Sequence, residues 1–117
     1  MFKIQLKDAV LDLTTPQVMG ILNATPDSFY KESRMEQVEQ AVQKSKAMVA
    51  AGAAILDIGG QSTRPGAELV SELIEIERVV PLIEAIQAAL PQTPISIDTY
   101  HAKVAKAALD AGALIVN

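Results

Sequence analysis

Four positions in this 117-residue chain set a polar side chain at or next to the end of a short apolar run. Asn23 follows Val18-Met-Gly-Ile-Leu22 and opens the polar loop Asn23-Ala-Thr-Pro-Asp-Ser-Phe29. Asp57 lies in Ala53-Ala-Ile-Leu-Asp-Ile58, ahead of Gly59-Gly-Gln-Ser-Thr-Arg-Pro-Gly66. Asp98 closes Pro94-Ile-Ser-Ile97, and Asn117 closes Ala113-Leu-Ile-Val116. Ser62, Thr63 and Arg64 add donors suited to phosphate or carboxylate, and the Arg64 guanidinium can bind either one bidentately. Gly59 and Gly60 let the backbone take conformations closed to a residue with a Cβ and come close to a ligand. Alone, that turn is most simply a Gly-rich bend with a solvated arginine. The matching strand ends elsewhere make it a candidate anion site.

The elements that must position these residues are read from apolar spacing. Phe2 to Leu6 and Val10 to Leu13 alternate apolar and polar residues around Lys7-Asp8-Ala9, the pattern of a β-hairpin. Val18 to Leu22 lacks alternation and reads as a strand buried on both faces. Val38, Ala41, Val42, Met48 and Val49 fall at helical spacing between Met35 and Ala51, with Gly52 as the stop. Leu69, Leu73, Ile76, Val80, Ile83, Ile86 and Leu90 form a second helical stripe. Pro81 lies inside it and cannot donate to the Glu77 carbonyl, so a kink or break is expected there. The acidic residues from Glu72 to Glu77 read as a solvated helix face. A third helix runs from His101 to Ala111, with Val104, Ala105, Ala108 and Leu109 inward and Gly112 as its stop. His101, the only histidine, opens that helix beside Tyr100 and is expected on the solvent side.

The order is a hairpin (residues 1–14) followed by βαβαβαβ (residues 17–117), four parallel strands with three helical connections. Ala51-Gly-Ala-Ala-Ile-Leu-Asp57 returns as Ala111-Gly-Ala-Leu-Ile-Val-Asn117, a sign of repeating βα units. Two α/β architectures are compatible: an open doubly wound sheet, or part of a (β/α)8 TIM barrel. In a barrel the four polar strand ends gather on one face, and in an open sheet they are strung along an edge. A full barrel takes ~250 residues, so this chain is expected to be the N-terminal half of one barrel domain. Such a half leaves its outer strands unpaired and one sheet face uncovered, a template for association.

Half of the residues are hydrophobic but only 3% are aromatic, so the core must be built from Ala, Val, Ile and Leu. The longest uncharged apolar runs fall short of the ~20 residues of a membrane span, and Met1-Phe2-Lys3 does not open like a secretory leader. Cysteine is absent, which excludes disulfides, thiolate metal sites and a cysteine nucleophile. A net charge of −4 without a basic cluster argues against nucleic acid or anionic membrane as a partner. An anionic small substrate could still be held by one arginine and a metal.

Met19-Gly-Ile-Leu-Asn-Ala-Thr-Pro-Asp-Ser-Phe29, Asp57-Ile-Gly-Gly-Gln-Ser-Thr-Arg-Pro-Gly-Ala67 and Ser96-Ile-Asp-Thr99 closely resemble the first three signatures of the dihydropteroate synthase family. Gly112-Ala-Leu-Ile-Val-Asn117 resembles the start of the fourth. The resemblance covers essentially the whole chain, in order and with similar spacing. It implies a pterin-binding TIM barrel and a transferase of folate biosynthesis that is cytoplasmic and, when complete, a homodimer. The implied reaction joins p-aminobenzoate to 6-hydroxymethyl-7,8-dihydropterin pyrophosphate with Mg²⁺ and releases pyrophosphate.

By that resemblance Asp98 accepts the amide N–H and exocyclic amine of the pterin, Asn117 pairs with the same ring, and Asp57 holds the pterin side of the site. Asn23 offers its amide oxygen to Mg²⁺. Phe29, Thr63 and Pro65 line the p-aminobenzoate pocket, with Ser62 and Arg64 fixing the loop. Asp27, Arg64 and Asp98 are the implied catalytic side chains, Asp27 being either a helper carboxylate or a turn residue. The chain departs from the family after Phe29, where Tyr30-Lys-Glu-Ser33 stands in place of an Asp-Gly-Gly continuation. Lys31 thereby replaces an acid expected to steady the cationic intermediate. The later pterin carboxylate, lysine and arginine of the family have no counterpart in these residues, so the chain alone is expected to be inactive. Two other readings stand beside this one: a non-catalytic pterin- or phosphate-binding paralogue, and a structural half-barrel that needs a partner chain.

Overall fold

The computed structural model describes residues 3–7, 9–14, 16–24, 34–60 and 72–117. Strands β1 (Lys3–Leu6) and β2 (Ala9–Asp12) form an antiparallel hairpin. The main unit follows as β3 (Val18–Asn23), α1 (Arg34–Ala50), β4 (Ala53–Gly59), α2 (Glu72–Ala89), β5 (Ile95–Asp98), α3 (Ala102–Ala111) and β6 (Ile115–Val116). Boundaries lie close to those expected, except that β6 pairs over two residues rather than four.

The four long-sheet strands are all parallel and lie in chain order, β3-β4-β5-β6. The three helices share one core with one face of this sheet. Leu22 of β3, Leu56 and Ile58 of β4, and Ile95 and Ile97 of β5 pack with Ala41 of α1, Val79, Leu82, Ile83 and Ile86 of α2, and Val104 and Ala108 of α3. A doubly wound sheet carries helices on both faces. Among the described residues the second face is covered at its N-terminal end alone, where Leu6 and Leu11 of the hairpin pack on Ile55, Leu114 and Ile115. One-sided helices and sequential strand order are the arrangement of a barrel wall with a plug at its base.

Two expectations from the sequence are corrected by this arrangement. Strand β3 is not buried on both faces: Val18 is 63% exposed and Ile21 61%, while Leu22 is 6%. The strand lacks alternation because its second face belongs to the barrel interior, which four strands leave open. Of the kink or break expected at Pro81, the break does not occur, since helix α2 runs on through it. An interior proline costs about 3 kcal/mol, but the helix buries Val79, Leu82, Ile83 and Ile86. Each such side chain contributes about 1.5–3 kcal/mol, so packing outweighs the lost hydrogen bond.

Candidate functional site

Strand register decides which side chains meet on the open inner face. Asn23 pairs with Gly59, Gly59 pairs with Asp98, and the β5–β6 register carries on to set Asn117 beside Asp98. The Asn117 amide N–H completes that ladder by donating to the Ile97 carbonyl at 2.8 Å. Asn23, Asp98 and Asn117 therefore occupy one row at the C-terminal rim, with Gly59 leaving a gap between the first two. The next row down holds Ile21, Asp57, Ser96 and Ile115.

Asp57 is 4% exposed. The side-chain amide of Asn117 reaches across β5 and donates towards both of its carboxylate oxygens, at 3.4 and 3.5 Å. Asp98 sits at the exposed strand end. Partial burial of its carboxyl raises its pKa above the ordinary value, and the Asp57 and Glu75 charges raise it further. The row is thus an acid-rich rim able to accept several N–H groups at once.

Ser96 went unassigned in the sequence beyond its place in a signature. Its side chain is fully buried, and its hydroxyl has no hydrogen-bond partner among the described residues. It lies beneath Asp98 and beside Asp57, and the signal that could have found it is its place two residues before Asp98 on a strand of period 2. A buried hydroxyl of this kind is a ready contact for a ligand or water.

Gly60 closes the strand end from the helix side. A Cβ there would lie 2.7 Å from Glu75 Cγ and 3.1 Å from Val79 Cγ1. Arg78 Nη1 donates to the Gly60 carbonyl at 2.9 Å. The glycine is required for room rather than for a left-handed turn, since neither Gly59 nor Gly60 has positive φ. Glu75 corrects the reading of the 72–77 run as a solvated face, because its side chain is fully buried. His101 is likewise not a solvent-side residue; its half-buried ring lies between Glu72 and Glu75.

Asp27, Phe29, Lys31, Glu32, Ser62, Thr63, Arg64 and Pro65 lie outside the described residues. Their segments leave β3 at Asn23 and β4 at Gly59, so both depart from the same rim. A cleft of about 760 Å³ lies at the opposite pole, between the hairpin turn and the ends of α2 and α3. It contains Lys7 but none of the four polar strand ends.

Comparison with known proteins identifies the family. Residues 19–117 match the family model described as pterin binding enzyme. A dihydropteroate synthase of Clostridium beijerinckii is 53% identical over 100 residues, spanning 86% of this chain and 37% of the relative. The dihydropteroate synthase of Xanthomonas albilineans solved with 4-aminobenzoic acid superposes with a TM-score of 0.89 at 43% identity, over 98% of this chain and 42% of that one. The same enzyme in complex with 7,8-dihydropteroate gives 0.83 at 38%, over 98% of this chain and 41% of that one. The chain thus spans little more than a third of that curated relative, and the partial barrel fits the folds of these synthases. By the family match, the identity and the shared fold together, this chain belongs to the pterin binding enzyme family.

Proposed function

We propose that this chain supplies the pterin-reading rim of a dihydropteroate synthase, as the first four strands of its barrel. The observation that supports this most is the row Asn23, Gly59, Asp98, Asn117 with Asp57 below it. A pterin presents an amide N–H and an exocyclic amine on one edge. The Asp98 carboxylate accepts both, and each charge-assisted hydrogen bond contributes roughly 1.5–3 kcal/mol. Asn117 stays oriented by its donation to Asp57 and offers its carbonyl oxygen to the ring. The Ser96 hydroxyl lies below, a further polar contact for the ring or for a water.

The reaction needs no covalent nucleophile. The C–O bond between the pterin methylene and pyrophosphate breaks, and the electron pair leaves with the phosphate oxygen. The aromatic amine of p-aminobenzoate then forms the C–N bond and gives up a proton. The Asp57 and Asp98 carboxylates favour the positive charge that develops on the pterin methylene, an electrostatic stabilisation of the kind that often dominates catalysis. Asp27 and Arg64 are proposed as helpers at the rim. Phe29, Ser62, Thr63 and Pro65 are proposed to form the p-aminobenzoate side on the loops after β3 and β4.

Among the described residues no three His, Cys, Asp or Glu side chains form a metal cluster. Asn23 still fits a magnesium site, because it presents an oxygen donor at an exposed rim position beside the gap left by Gly59. Mg²⁺ is commonly held by one or two protein oxygens with waters and substrate phosphates. Bound there, it would neutralise the departing pyrophosphate.

The test is to join this chain to the remaining C-terminal portion of a dihydropteroate synthase and assay dihydropteroate and pyrophosphate together. Stoichiometric formation of both from p-aminobenzoate and dihydropterin pyrophosphate is expected. A folded joined barrel that binds pterin without releasing pyrophosphate would support the non-catalytic paralogue instead.

A further inference from the structure

The cluster around His101 has no part in the chemistry above, yet it joins two segments of the site. His101 Nδ1 lies 3.6 Å from Glu72 Oε1, and Nε2 lies 4.0 Å from Glu75 Oε1. A neutral imidazole carries one N–H, and only the imidazolium presents one to each carboxylate. Glu75 packs its Cγ against Gly60, and Arg78 one turn on holds the Gly60 carbonyl. The backbone N–H of His101 donates to Thr99 Oγ1 at 3.1 Å, one residue beyond Asp98. The ring therefore spans from the turn behind Asp98 to the helix turn that grips the root of the Gly-rich loop.

We propose that His101 is a positioning residue whose charged form braces Gly60 and the Asp98 turn against each other through Glu72 and Glu75. The charged groups around the ring are Glu72 and Glu75 on α2 and Lys103 on its own helix, the last 3.9 Å from Glu72 Oε2. Asp98 on β5 shares the field, since Glu75 contributes to its raised pKa. Protonated, His101 closes both ion pairs. Loss of one ring N–H leaves a donor for only one of the two carboxylates, and the brace slackens. The contacts stand without any synthase activity, and only their bearing on catalysis rests on the function proposed above.

The chain has a single histidine, so its ring resonance is unambiguous in NMR. A pH titration of the ¹⁵N-labelled chain is expected to show the Gly60 and Thr99 amide resonances inflecting at the midpoint of the His101 ring. H101Q should abolish both inflections while leaving the rest of the spectrum folded. H101K, charged throughout, should hold Gly60 near its low-pH position up to pH 8. Gly60 and Thr99 resonances that stay flat through the ring titration would overturn the proposal, as would inflections that survive H101Q. Pterin binding is measured separately, so a working brace with no pterin binding would reject the synthase reading alone.

Discussion

A pair of glycine-to-alanine changes separates room for packing from room for substrate. At Gly60 a new Cβ meets Glu75 Cγ at 2.7 Å, Val79 Cγ1 at 3.1 Å and the Glu75 carbonyl at 3.4 Å. Carbon atoms rest at about 3.5–4.0 Å, so α2 or the end of β4 must give by roughly 0.8 Å or more. Val79 and Glu75 are fully buried, which leaves them little freedom to yield. Overpacking of this kind costs about 1–3 kcal/mol, a fall in Tm of several degrees for a chain of this size. At Gly59 the nearest atoms a Cβ meets among the described residues are those of Asp98 at 3.5–3.9 Å, ordinary contact. G59A should therefore stay within about 0.5 kcal/mol of wild type and act instead by crowding Asp98 at the rim. Denaturant melts of both variants check the contrast. Equal stability of G60A and G59A would refute the claim that Gly60 is held against α2.

The remaining expectations concern charge, the orphan hydroxyl and the open face. Asp98 favours its protonated form in the folded chain, so its contribution to stability is present in acid and lost as pH rises through its raised value. D98N should therefore melt higher than wild type at neutral pH, the gap closing in acid. Pterin binding has the opposite sign: it needs the carboxylate, and should weaken on acidification from a higher pH than an ordinary aspartate would give. S96A should leave the chain as stable as wild type or more so, because it deletes a buried hydroxyl that has no partner among the described residues. In the joined barrel it should weaken pterin by a few-fold, the loss of about one neutral hydrogen bond of 0.5–1.5 kcal/mol. The isolated chain should self-associate in sedimentation through the inner face that exposes Met19 and Ile21, and I21K should reduce that association.

Much of the fold is legible in the sequence because apolar spacing and strand-end chemistry are local. Val38, Ala41 and Val42, or Val104 and Ala108, face the core simply by helical period. What was not legible depended on which surfaces exist. The run Val18 to Leu22 looks the same whether its second face meets helices or an open barrel interior. Glu75 looks like its solvated neighbours because the groups that cover it, Gly60 fifteen positions earlier and His101 on α3's N-terminal side, are distant in sequence. His101 reads as a surface residue until α2 is laid beside α3. The rim was visible as four separate strand ends, yet their common row, and the place of Ser96 beneath it, follow from register that no single segment encodes.

The most direct test of the rim is the affinity of the joined barrel for 6-hydroxymethyl-7,8-dihydropterin, wild type against D98N, at neutral pH. Two charge-assisted hydrogen bonds at roughly 1.5–3 kcal/mol each predict a Kd weaker by about a hundredfold or more in D98N. A Kd that D98N leaves unchanged, in a variant that remains folded, would contradict the assignment of Asp98 as the group that reads the pterin.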